Sequence, residues 1–187
     1  MAVPSPSPAA DKIAVRARGR AARRALPEPR PIIAPRPSFL QMLKPDMIVA
    51  SYAPVGAEAD PGALVAAAIK QGCRIALPHV VDQPTPLRFL AWHDDATLVP
   101  GPFGLLQPED HRDELAPDLI LAPLVAFDRM LGRLGQGGGH YDRAFAGFPA
   151  AHRIGVAFSV QEVDRVPTDP WDMPLHAIIT EQEWIAA

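Results

Sequence analysis

MIVASYAPVGAEADPGALVAAAIKQGCRIALPHV, residues 47–80, is the stretch that decides the class of fold. The apolar run 47–52 is too short for a helix. After a polar interval, Asp60-Pro61-Gly62 puts a capping carboxylate ahead of a proline at the first helical position. The alanine-rich stretch 61–71 then has high helix propensity and stops at Gly72. A second apolar run opens at Arg74 and is closed by Pro78. Strand, helix and strand joined by short connections form the unit from which parallel sheets are built.

Further out the pattern continues. Apolar runs at 87–92, 119–121, 123–127, 154–158 and 177–179 predict more strands, and a short helix runs through 141–145. The expected fold is therefore α/β, with a central, largely parallel sheet flanked by helices. The 23 prolines are spread between these runs, where they punctuate elements and build no stiff linker. Toward the N-terminus, residues 39–43 allow one or two helical turns and 27–37 an irregular connection. Residues 12–25 form an Ala- and Arg-rich helix whose only substantial hydrophobes are Ile13 and Val15. Residues 1–9 alternate Ser and Pro and read as a disordered tail. A chain of 187 residues fits one domain, here 10–187.

The formal charge of −3 conceals an asymmetry: residues 11–30 hold seven Lys or Arg against two acidic residues. A lone Cys73 cannot form an internal disulfide, and its place at a strand start reads as structural. No run approaches the ~18 apolar residues of a membrane span, and MAVPSPSP resembles no export signal. The expectation is a cytoplasmic monomer without membrane or nucleic-acid partners.

The chemistry concentrates in LAPLVAFDRMLGRLGQGGGHYDRAF, residues 121–145. A strand leads into glycines at 132, 135, 137, 138 and 139, and then into a helix. Glycine lets backbone pass close to a bulky anion, and exposed N–H groups with a helix N-terminus can cradle phosphate oxygens. Arg133 and Arg143 can add charge-assisted hydrogen bonds. The loop is neither a Walker A sequence nor a dinucleotide fingerprint, and a mobile glycine turn is the bland alternative. Asp142, near the helix start, reads either as a cap or as a hard-cation ligand. Asp172 is the best candidate for a second carboxylate at that cation, with simple solvation the alternative.

Residues 123–143, PLVAFDRMLGRLGQGGGHYDR, resemble the pattern PxLAFDxxGxRLGxGxGYYDR of the 5-formyltetrahydrofolate cyclo-ligase family. The resemblance extends to Lys12, Val15 and Arg16, to SYAPVGAEAD at 51–60, IALPHV at 75–80, GPFGLLQP at 101–108, and 157–180. It implies a three-layer α/β/α sandwich and the use of ATP with Mg²⁺ to convert 5-formyltetrahydrofolate to 5,10-methenyltetrahydrofolate. By residue it implies an ATP loop of Arg133, Leu134, Gly135, Gln136, Gly137, Gly138, Gly139, His140 and Tyr141, with Lys12 and Arg16 on the phosphates. It implies magnesium at Asp142 and Asp172. Folate is implied at Glu58 and Tyr52, beside Gly137, Gly138, Gly139 and Tyr141. The chain departs from the pattern at Gln136 and His140, where aromatics are usual, and at Gln107, Leu131, Trp171 and His176.

The implied reaction phosphorylates the formyl oxygen, a poor leaving group, so that N10 can close the ring as phosphate departs. Arg133, Lys12, Arg16 and Mg²⁺ would stabilise the transferring phosphoryl group, with no enzyme nucleophile. Two rival readings stand beside it. One is a nucleotide-binding relative without folate turnover. The other is a nucleic-acid binder using Arg16, Arg18, Arg20, Arg23, Arg24 and Arg30, against which the acidic remainder of the chain weighs.

Overall fold

The helix expected after Asp60 begins at Gly62, whose N–H donates to Asp60 Oδ1 at 2.8 Å. It ends on Gly72, held at φ +81°, with Gly72 N–H donating to Ile69 O and Cys73 N–H to Ala68 O. Those two bonds form the Schellman closure that only a residue tolerant of positive φ completes without strain. Cys73 is buried just beyond it and donates to Lys44 O at 3.3 Å, a packing role.

A computed structural model describes residues 8–93 and 96–187. In chain order the elements are α1 (Pro8–Arg24), α2 (Pro37–Met42), β1 (Ile48–Ala50), α3 (Gly62–Lys70), β2 (Arg74–His79), β3 (Arg88–Trp92), β4 (Val99–Pro100) and β5 (Leu106–Gln107). There follow β6 (Leu119–Pro123), β7 (Ala126–Phe127), β8 (Arg133–Leu134), α4 (His140–Gly147), β9 (His152–Val156), β10 (Ala177–Ile179) and β11 (Trp184–Ala186). Of the expected tail, residues 1–7 lie outside the described residues; α1 starts at Pro8, ahead of Lys12.

Seven strands form one sheet in the order β11-β10-β9-β6-β1-β2-β3. The pairs from β10 across to β2 are parallel, and the two edge strands, β3 and β11, run antiparallel. Alternation along β6 shows why the sheet is covered on both sides. Leu119 and Leu121 face a core with Phe39 of α2 and Leu64 and Ala68 of α3, whereas Ile120 and Ala122 face a core with Phe89 of β3 and Phe145 of α4. Each large side chain so buried contributes about 1.5–3 kcal/mol. The result is a three-layer α/β/α arrangement.

Pro78 does not close β2, which continues to His79. Ala76 O accepts from Ser51 N–H on the β1 side, so Pro78, two residues on, turns its missing donor toward the same side. β1 has ended at Ala50 by then, and no ladder bond is lost.

Chain connections leave β1 toward β2 on one side, while β6 leads to β9 on the other. The crevice beyond the carboxyl ends of β1 and β6 is thus a topological switch point, the usual ligand position in such sheets. Among the described residues no helix is long and apolar enough to cross a membrane.

Candidate active site

A cleft of about 920 Å³ opens at that switch point, floored by Tyr52 after β1 and Leu124 after β6. The glycine loop forms one wall. Gly137 has φ +113° and Gly139 φ +67°, conformations that side chains with a Cβ rarely adopt. A Cβ on Gly139 would also lie 2.9 Å from Arg143 Nη1. Asp142 follows in the first turn of α4.

Helix α1 forms the adjoining wall, held to the loop by polar contacts. Of its two hydrophobes, Val15 packs on a small core of Ala126, Leu134, Val163 and Val166, whereas Ile13 is 67% exposed. Gly19 permits the docking: a Cβ there would sit 2.3 Å from Val125 O. Arg16 Nε donates to Gly135 O at 2.9 Å, and Arg20 donates to Gln136 Oε1 from Nη2 at 2.8 Å. Gln136 Nε2 in turn donates to Glu58 Oε1 at 3.1 Å, so the loop is tied to α1 and to the segment after β1.

Lys12 is 8% exposed and ion-paired with Asp172 at 2.5 Å and Asp169 at 2.8 Å. Burial alone would lower its ammonium pKa, but the hydrogen bonds and charges of the two carboxylates outweigh this and raise it. Arg133 pairs with Asp142 at 3.1 Å, its guanidinium 5.3 Å from the Phe145 ring centre and 5.6 Å from that of Tyr141. Each carboxylate implied for magnesium is therefore neutralised by a cation implied for phosphate. The residues fit a magnesium nucleotide: Lys12 and Arg133 would turn from the carboxylates to phosphate oxygens, and Asp172 and Asp142 would hold the metal, which would neutralise phosphate charge. Among the described residues no three His, Cys, Asp or Glu converge as a preformed metal cage. The fit is to an ion that takes its other ligands from phosphate and water, as Mg²⁺ does.

The folate-side residues also line the cleft. Tyr52 is buried and donates to Ala59 O at 2.5 Å; burial and the nearby Glu58 hold its hydroxyl well above its ordinary pKa. Tyr141 is raised by burial in the same way. Glu58 is anchored through Val55 N–H donating to Oε2. His140 accepts from Arg143 on Nδ1 at 3.2 Å, which leaves Nε2 to carry the proton. Burial, and then the charge of Arg143, depress its pKa.

The residues implied for ATP, magnesium and folate thus meet around one cleft, and several residues in or beside it were not assigned to it. Arg23 lines the floor, and Asp169 shares Lys12 with Asp172. Asp128, 3% exposed, accepts from Met130, Gly132 and Val166 N–H groups and fixes the turn between β7 and β8. An Asp at the head of a short turn that closes on Gly132 was the available signal for it. Gln161, 1% exposed, donates to Leu124 O and Val125 O and was not legible.

Three departures from the family pattern sit in different settings. Gln107 is a buried strut that accepts from Val80 N–H at 3.0 Å and donates to Val80 O at 3.4 Å; a carboxylate could only accept. Leu131 carries φ +65° where the pattern has glycine. Trp171 is 70% exposed on the cleft rim, so it is no packed anchor.

Comparison with known proteins gives the same answer as the cleft. Residues 9–181 match the 5-formyltetrahydrofolate cyclo-ligase family. The 5-formyltetrahydrofolate cyclo-ligase of Escherichia coli (strain K12) is 33% identical over 181 residues, spanning 88% of this chain and 99% of that one. The Haemophilus influenzae protein of the same name is 36% identical over 99 residues, 50% of this chain and 53% of that one. The NMR structure of Aquifex aeolicus 5,10-methenyltetrahydrofolate synthetase superposes with a TM-score of 0.67 at 27% identity, covering 96% of this chain and 92% of that one. With its sheet order, its glycine loop and nearly its whole length accounted for, the chain belongs to the 5-formyltetrahydrofolate cyclo-ligase family.

Proposed function

We propose that this chain is the ATP- and Mg²⁺-dependent enzyme that converts 5-formyltetrahydrofolate to 5,10-methenyltetrahydrofolate, releasing ADP and phosphate. The observation that carries the reading is the cross-neutralised quartet Lys12–Asp172 and Arg133–Asp142 facing the glycine loop. It offers two fixed cations and two hard oxygen ligands within one cleft.

Magnesium, held by Asp142 and Asp172, supplies charge neutralisation on the phosphates. Lys12, Arg16 and Arg133 bind the phosphate oxygens and oppose the charge that develops as the formyl oxygen takes the γ-phosphoryl group. The loop backbone from Gly135 to Gly139 fixes the direction of transfer. His140 offers its Nε2 proton to a phosphate oxygen. Glu58 and Tyr52 orient the pterin so that N10, once the formyl oxygen is phosphorylated, closes on the formyl carbon and phosphate leaves. The same reading makes the protein a monomer acting on small molecules and places it in the cytoplasm, for which the single, buried cysteine is the support.

The test is to follow methenyl absorbance and ADP together in the purified protein. Both products are expected only when ATP and Mg²⁺ are present. ADP without methenyl formation would point to a changed substrate, and ATP binding without either product to a noncatalytic relative.

A further inference from the structure

Arg23 lies on the cleft-facing side of α1, is 6% exposed, and lines the floor together with Glu58, Tyr52 and Leu124. A guanidinium carries five N–H donors, and a buried one is expected to use most of them. This one does not. Its Nε has no partner. Its Nη1 reaches Leu124 O at 3.5 Å, an oxygen that Gln161 Nε2 already holds at 2.9 Å. The nearest carboxylate oxygen, Glu58 Oε1, is 3.8 Å away, beyond hydrogen-bond range. A buried cation so poorly paired is costly to the empty protein, and such a cost is recovered when a ligand supplies the missing acceptor.

The neighbouring groups define that acceptor. Glu58, acceptor only, stands beside Arg23, donor only, where the strand order reverses. Their complement is a flat edge with a carbonyl oxygen next to ring N–H and amino donors. The 2-amino-4-oxo edge of a pterin has that order. Resting on the folate reading above, we propose that Arg23 is a specificity-determining residue that donates to the 4-oxo group of the bound pterin while Glu58 accepts from the adjacent N–H groups. The pair selects a 4-oxo ring over a 4-amino ring, because a 4-amino group would turn a donor toward the guanidinium.

The test is calorimetric titration, without ATP, of 5-formyltetrahydrofolate and of the same molecule bearing a 4-amino group, into wild type, Arg23→Met and Arg23→Lys. Arg23→Met should weaken the 4-oxo ligand roughly tenfold to a hundredfold and alter the 4-amino ligand by less than about threefold, so the preference collapses. Arg23→Lys, still a donor, should retain part of it. Mg-ATP affinity should be unchanged, and Arg23→Met should melt no lower than wild type because it removes a buried charge that has only long, poorly made contacts. Equal losses for both ligands, no loss for either, or a lower melting temperature would each assign Arg23 to packing and overturn the proposal. Wild type that binds neither ligand would instead sink the folate reading itself.

Discussion

Arg133 shows how one side chain is placed by several forces at once. It is buried between Phe145 and Tyr141, paired with Asp142, and brought to the cleft by β8. Replacing it with Ala removes the charge facing the phosphates and leaves Asp142 without its cation. Calorimetry should show Mg-ATP binding weakened by about tenfold or more, the loss expected for a charge-assisted hydrogen bond; equal affinity would remove Arg133 from its role. Arg153 poses the opposite problem. It is 8% exposed and faces His176, whose Nδ1 accepts from Arg153 N–H and whose Nε2 lies 3.0 Å from its guanidinium. Burial, then the charges of Arg153 and His152, lower the pKa of His176. The folded state thus favours neutral imidazole, and stability from this source is present above the unfolded pKa near 6.5 and lost as pH falls below it. His176→Asp gives Arg153 a carboxylate, and should raise Tm by about 2–4 °C at neutral pH, the shift expected from roughly 1 kcal/mol in a chain of this size. A melting curve that falls at neutral pH would reject the pairing.

At the level of elements, α1 is the informative case because its propensity and its docking make opposite demands. Glycine inside a helix costs about 1 kcal/mol relative to alanine, so Gly19→Ala would stabilise an isolated helix. Here the added Cβ meets Val125 O at 2.3 Å, a backbone atom of the turn after β6 that cannot swing aside. The helix must shift, carrying Lys12 and Arg16 with it. Mg-ATP affinity is expected to fall several-fold in Gly19→Ala while the circular dichroism of the sheet persists, since among the described residues α1 adds only Val15 to a satellite core. Unchanged affinity would mean that α1 is positioned by something other than this close approach.

Over the whole molecule, two cores on either face of a seven-stranded sheet carry the stability, and α1 closes over the cleft on ion pairs and loop hydrogen bonds. Saturating Mg-ATP should therefore slow amide hydrogen exchange in residues 12–24 more than in the sheet, and raise Tm by linkage. Exchange in α1 that ignores the nucleotide would show a helix already fixed without it. The alternation of apolar runs with helix signals at 47–80 was enough to determine the α/β class, because hydrophobic period and the caps at Asp60 and Gly72 are local properties. The glycine loop was legible for the same reason: positive φ and close approach demand glycine wherever the chain sits. Sequence could not show that β3 runs antiparallel or that Pro78 stays inside β2, since both depend on where neighbouring strands end. Nor could it single out Arg23 among seven basic residues in 11–30, or Asp128 and Gln161 among ordinary polar ones. Their roles are set by burial and by partners distant in the chain, such as Leu124 O for Arg23 and Val166 N–H for Asp128. Such pairings exist only once the sheet has brought the ends of β1 and β6 together, and so the tertiary structure alone decided them.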